Sequence, residues 1–219
     1  MELNKLHRHS SECCFMNLSS DKMNDLGCCN IKELSATKKS ILTSYPSDSY
    51  VSINGFDNSY SYDKINLHKV TALKYSKRNN NRLQYLNANF VDIDVGRDKT
   101  STLKETLDKI EFAEFFGTIP PISMRILSGQ GLWLFWFLGD EKQSIKAKLG
   151  NQRIWKNTQG GIIDFFQRRG ISEADNQAKD ACRVCRIPGS IHSKSGKAVI
   201  WESLKDTYYS LEELSAWFK

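Results

Sequence analysis

The chain has 219 residues, 40% hydrophobic and 11% aromatic, enough to bury one domain-sized core. Its 31 Lys and Arg against 25 Asp and Glu leave a net charge of +6, a mild excess that permits an anionic partner without requiring one. No run of 18 apolar residues exists, the opening segment lacks the apolar stretch of a secretory leader, and six cysteines in a chain this long do not read as a disulfide scaffold, so a cytoplasmic protein with no membrane span is expected.

Residues 1–40 are rich in Ser, Asn, Lys and Asp, carry two Cys-Cys pairs and show no clear period. They are expected to form a loosely ordered tail ahead of one domain over residues 41–219. His7, His9, Cys13, Cys14, Cys28 and Cys29 are numerous enough for zinc. Adjacent cysteines chelate less well than Cys-x₂-Cys, so a metal-free tail is expected. Residues 50–54 alternate like a strand stopped by Gly55, and residues 77–82 read as a basic, solvated loop. A strand over residues 89–95 ends at Gly96. Leu103, Leu107, Ile110 and Ala113 then recur at helical spacing, stopped by Gly117 and Pro120. Two strands, 122–127 and 132–138, flank a tight turn at 128–131 and read as a hairpin. Residues 141–169 are expected to be helical, broken near Gly150 or Gly160-Gly161, with Trp155, Ile162 and Phe166 on the buried face. A strand at 198–202 and a helix opened by the capping-box pattern at Ser210 close the chain. From residue 89 the order is β-α-β-β-α-β, which predicts an α+β, ferredoxin-like or RRM-like sheet with helices on one face.

Three segments carry chemistry. Asp92 and Asp94 lie two apart in an apolar strand, so both project from one face while Val91, Ile93 and Val95 take the other. Adjacent carboxylates repel and each loses hydration; a hard divalent cation such as Mg²⁺ or Mn²⁺ relieves both costs. The turn Ser128-Gly129-Gln130-Gly131 can present backbone amides and a hydroxyl to a phosphate, and it is also what an ordinary hairpin needs. Trp133 and Phe135 share a strand face, where packing in the core is expected over stacking on a base. Finally, Asp180, Arg183 and Arg186 recur every three residues, followed by Pro188-Gly189 and then His192 and Lys194. An acid followed by four potential cations suits a metal-bound triphosphate. Cys182 and Cys185 have no second Cys-x₂-Cys nearby and read as small apolar filler.

Phe90-Val-Asp-Ile-Asp94, Ser128-Gly-Gln-Gly-Leu132 and the segment from Asp180 through Arg183, Arg186 and Pro188-Gly-Ser190 together resemble, in order and spacing, the three motifs of the archaeo-eukaryotic primase superfamily, in particular the prim-pol-like domains of plasmid and mobile-element replication proteins. The resemblance spans residues 50–217. It implies an RRM-like catalytic core with an N-terminal α/β extension, acting as a metal-dependent DNA primase or polymerase by two-metal phosphoryl transfer. By the same resemblance, Asp92, Asp94 and Asp180 are the catalytic acids and ligands of Mg²⁺ or Mn²⁺. Ser128, Gly129, Gly131, Arg183, Arg186, His192 and Lys194 hold the incoming nucleotide. Single-stranded DNA template and nucleoside triphosphates are the implied substrates, with a helicase as a partner in trans, since no Walker A motif occurs in the chain. Two positions depart from the family: Trp133 stands where the second motif often has His, and His192 where the third usually has Asn. A degenerate relative that binds DNA or nucleotide without synthesis is therefore one alternative, and another metal-dependent nucleotidyl or glycosyl transferase is a second.

Overall fold

The computed structural model describes residues 2–8, 12–57, 78–95, 102–170 and 174–219; His9, Lys77 and Gly96 lie outside them. In chain order the elements are α1 (Glu2–Leu6), β1 (Glu12–Ser19), β2 (Lys22–Asn30), α2 (Leu34–Ser44), β3 (Ser49–Ser52), β4 (Gly55–Phe56), β5 (Leu83–Leu86), β6 (Ala88–Asp94), α3 (Leu103–Phe115), β7 (Met124–Leu127), β8 (Gly131–Leu138), β9 (Ile145–Lys146), α4 (Leu149–Arg168), β10 (Val184–Arg186), β11 (Ile200–Ser203), β12 (Tyr208–Tyr209) and α5 (Leu211–Trp217). They form two sheets. The first runs β10-β3-β1-β4-β5-β9, with β2 also paired to β1. In the second, β8 is central, with β7 and then β11 on one side, β6 on the other, and β12 parallel to its end.

The N-terminal segment is not a loose tail. β1 and β2 form a hairpin whose turn residues, Ser20 and Asp21, both have positive φ (50° and 59°), as a two-residue turn matching strand twist requires. Six successive residues of β1 are buried, because both of its faces are covered. Cys13 faces Cys29 and Cys14 faces Cys28 across the hairpin, and Cys14 and Cys28 are joined as a disulfide. His7 ties α1 to the core: its Nδ1 accepts from Asn87 Nδ2 at 3.0 Å, leaving Nε2 to donate to the Ser52 carbonyl at 2.9 Å.

The second sheet holds the expected hairpin, and β8 is buried along its whole length. On one face, Trp136 packs against Phe166 of α4 and Phe218 beyond α5, with centroids 6.1 and 5.3 Å apart. The other face carries Phe90, Asp92 and Asp94 of β6 opposite Phe135, Trp133 and Gly131 of β8. The expected break in the second long helix does not occur. α4 begins at Leu149 rather than 141, after a turn and β9, and runs unbroken to Arg168. Gly161 instead admits the Phe218 carbonyl so closely that a Cβ would collide with it, so this glycine serves helix packing, whereas Gly160 faces open space.

β11 adds to β7, not β6, which leaves the outer edge of β6 without a full partner strand. Side chains and one short segment fill that role. Trp155 Nε1 donates to the Ala88 carbonyl at 2.9 Å. The Gln159 amide accepts from Phe90 N–H at 3.2 Å, donates to the Phe90 carbonyl at 2.7 Å, and donates onward to the Ala178 carbonyl at 2.8 Å. Beyond it, Ala174 bridges to Ile93, and Asp175 N–H donates to the Asp92 carbonyl at 2.8 Å. A buried strand edge cannot leave its polar groups unpaired. Gln159 is fully buried because its amide stands in for a missing stretch of backbone.

Candidate active site

A cavity of about 530 Å³ opens between the two sheets. The second sheet contributes Asp92, Asp94, Ser128, Gln130 and Trp133; the first contributes Tyr50, Val184 and Arg186; and Met23, Arg78, Asp180, Arg183 and His192 complete the lining. Three carboxylates and three guanidinium groups therefore share one space.

The acid wall follows from strand geometry. Asp92 and Asp94 project from one face of β6, opposite Trp133 and Gly131. Trp133 is stacked on Phe90 at 5.4 Å and on Phe135 at 6.0 Å, so it is an anchored wall of the cavity. The Asp92 carboxyl is pushed up to about 8, by burial first and then by Asp94, with Asp175 adding to the effect and Arg183 opposing it. A single nitrogen, Arg183 Nη2, lies 3.5 Å from Asp92 Oδ2 and 2.5 Å from Asp175 Oδ2, which makes those two carboxylates neighbours.

The arginine wall is built on the first sheet. β10 carries Arg186 and pairs with β3, which sets Arg186 opposite Tyr50 in the register. The guanidinium lies over the Tyr50 ring, 4.8 Å from its centroid, and is ion-paired with buried Asp48. Asp48 adopts φ 49°, an uncommon conformation for a residue other than glycine. Burial works to raise the Asp48 carboxyl, but hydrogen bonds from Ser193 and the Arg186 charge outweigh it and hold the group below its usual value. His192 is held low by burial and by the Arg186 charge. Its Nδ1 accepts from Ser195 N–H at 3.1 Å, so the neutral ring carries its proton on Nε2.

Most of the expected residues meet in the cavity: Asp92, Asp94, Asp180, Ser128, Arg183, Arg186 and His192 all line it. Gly129, Gly131 and Lys194 do not. Gly129 has φ 98°, and a Cβ there would lie 2.6 Å from His192 Cβ, so its bareness seats the histidine rather than a phosphate. Gly131 abuts the Ile93 backbone and lets β6 and β8 close together. Asp180 reaches the rim, where its Oδ1 accepts from Cys182 N–H at 2.9 Å within its own turn. Tyr50, Asp48, Arg78 and Asp175 went unrecognised in the sequence. Arg78 sits in the loop read as solvated, yet it lines the cavity with its Nε buried and unpaired among the described residues.

The donor set suits a hard cation. Asp92 and Asp94 share a face, and Asp92 is raised by burial first and by the adjacent Asp94 second, so a cation bound between them would favour its ionised form. Among the described residues no three His, Cys, Asp or Glu side chains are gathered tightly enough to hold a metal by themselves. Two carboxylates completed by substrate phosphates is the usual way Mg²⁺ is held.

No family model matches the chain. Over 142 residues, 62% of this chain, it is 33% identical to a replication protein of Clostridium perfringens, and it spans about a third (31%) of that protein's length. In three dimensions it is similar to the AEP domain of the primase-polymerase of cyanophage S-2L, with a TM-score of 0.62 at 14% identity, covering 100% of this chain and 95% of that one. The fold is that of an archaeo-eukaryotic primase-polymerase domain, an α+β architecture of mixed helices and antiparallel sheet. No helix among the described residues is long and apolar enough to cross a membrane.

Proposed function

We propose that this domain is a metal-dependent nucleotidyltransferase of the primase-polymerase type, acting in replication of a plasmid or other mobile element. One observation carries the reading: the paired carboxylates of β6 face the arginines of the β10 segment across a single cavity. Asp92 and Asp94 would hold Mg²⁺ or Mn²⁺, with substrate phosphates completing the coordination. When bound, the cation stabilises charge on the phosphoryl oxygens and lowers the pKa of the attacking hydroxyl.

The chain's own residues position the nucleotide. Arg186 is braced from behind by Asp48 and Tyr50, so its fork is oriented before substrate arrives. Arg183 bridges Asp92 and Asp175, and its guanidinium would be free to reach the triphosphate if Asp92 instead ligated a cation. Ser128 and the Nε2–H of His192 offer further donors to the same cavity. For the third acid we favour Asp175 over Asp180, because Asp175 is bonded to the Asp92 backbone and shares Arg183 with its carboxylate. The resemblance to a replication protein and to a primase-polymerase domain supports single-stranded DNA and nucleoside triphosphates as substrates.

Primer extension on a single-stranded template with Mn²⁺ and labelled nucleotides tests the reading. Wild type should incorporate nucleotide and Asp92→Ala should not. No incorporation by wild type, together with tight DNA or nucleotide binding, would favour a non-catalytic relative, the reading that Trp133 in the second motif supports.

A further inference from the structure

A second groove of about 570 Å³ adjoins the cavity and shares Asp180 with it. Its cations are Arg153 and Lys156 of α4 and Lys179 of the following segment, with the amides of Gln152 and Gln177 beside them. Arg153 and Lys156 are three apart on α4 and so adjoin on one helical face. Gln159, one turn further along α4, binds the Ala178 carbonyl and thereby draws Lys179 towards that same helix. All three cations are exposed, and among the described residues none has an ion pair. Against these three cations the lining holds a single carboxylate, Asp180, which leaves an excess of positive charge that a bound phosphate would offset. The neighbouring aromatic, Trp155, is 1% exposed and bonded to β6, so no ring is offered for base stacking.

We infer that this groove binds the phosphodiester backbone of single-stranded DNA and leads the strand past Asp180 to the cavity; the direction of that path rests on the primase-polymerase reading, whereas the binding does not. With exposed cations and no ring on which a base could stack, the contact is mainly to phosphates and is expected to depend little on sequence. It differs from nucleotide binding in the cavity, which uses the arginines of the β10 segment.

Fluorescence anisotropy with a labelled thymidine 20-mer in EDTA tests this without catalysis. The triple variant Arg153→Ala/Lys156→Ala/Lys179→Ala should bind on the order of 100-fold more weakly at about 50 mM salt, with the slope of log K against log salt shallower by about 2, as expected for three lost phosphate contacts to a single strand. An unchanged melting temperature confirms folding. A control with the same charge change, Lys32→Ala/Lys39→Ala/Lys104→Ala, alters exposed lysines outside both cavities and should retain most of the affinity. Equal losses in both variants, or no loss in the first, would overturn the inference. So would weakened binding of a fluorescent nucleoside triphosphate with DNA affinity intact, or a loss confined to a uridine 20-mer. If wild type incorporates no nucleotide while the groove variant still loses DNA, the groove stands and the catalytic reading falls. If Asp92→Ala abolishes synthesis while the groove variant binds like wild type, the reverse holds.

Discussion

The acid wall on β6 and the arginine wall on β3 and β10 face the same cavity, yet they are neutralised in opposite ways. Arg186 is already matched by a buried carboxylate, Asp48, which is held low by its partners. Asp92 is pushed up to about 8, with Asp94 beside it and only a shared arginine in opposition. One wall is complete without ligand; the other awaits positive charge. Paired charges keep their geometry, whereas crowded like charges favour whatever neutralises them. The contrast predicts that damage to the acid wall removes chemistry, and that damage to the arginine wall removes stability and affinity.

The largest effect is expected at Asp92. Asp92→Asn should lower incorporation by about a thousandfold or more, since a metal-ligand site supplies several kcal/mol of transition-state stabilisation. The same change should make the metal-free protein more stable. A carboxyl whose folded pKa exceeds its unfolded value of about 4 favours folding fully at acid pH, and that advantage is lost as pH rises towards about 8. Melting curves in EDTA should therefore show wild type weakening across that window and Asp92→Asn not doing so. Mn²⁺ should restore wild type at pH 8 and leave the variant unmoved. A variant as pH-sensitive as wild type would break the contrast.

The next effect separates two acids. Asp175 shares Arg183 Nη2 with Asp92, whereas Asp180 binds its own turn. Asp175→Asn should reduce kcat by about a hundredfold, and Asp180→Asn, which keeps an acceptor for Cys182 N–H, by much less. A reversed ranking in steady-state extension assays would return the third-acid role to Asp180.

Asp48→Asn probes the other wall. It leaves Arg186, only 15% exposed at its side chain, without a counter-charge, which should cost about 3 kcal/mol in urea denaturation. KM for the nucleotide should rise about tenfold with kcat changed less, because the fork loses its brace. The pH sign is opposite to that of Asp92. A carboxyl held below its unfolded value stabilises the fold above that value, and the contribution is lost as pH falls through the lowered one.

The acid wall was legible because a period of two in an apolar strand is a local signal, and the arginine segment because its spacing is contiguous. Asp175 and Asp48 were not, since each acts through a residue distant in sequence, Asp92 in one case and Arg186 in the other. The β1–β2 hairpin escaped notice for two reasons. Burial on both faces erases alternation, and Ser20-Asp21 turns the chain without the Asn-Gly or Asp-Gly that advertises such a turn. The edge of β6 is hidden for a related reason: a glutamine side chain, and not a strand, completes it.

The smallest effect concerns Gly129, where a turn that resembled a phosphate cradle seats His192. Alanine there meets two penalties, a φ of 98° and a Cβ placed 2.6 Å from His192 Cβ. Relief has to come from a shift of the histidine, because the β7–β8 turn is fixed by Ser128 N–H donating to the Gly131 carbonyl at 3.0 Å. Gly129→Ala should thus cost about 1–2 kcal/mol and raise KM for the nucleotide a few-fold, with kcat nearly unchanged. Gly150→Ala is the matched comparison. It lies in the first turn of α4 with open space around it, and it should stabilise by up to about 1 kcal/mol with KM unaltered. If Gly129→Ala lost stability but kept KM, His192 would belong to the scaffold, and the arginine wall would end at Arg186.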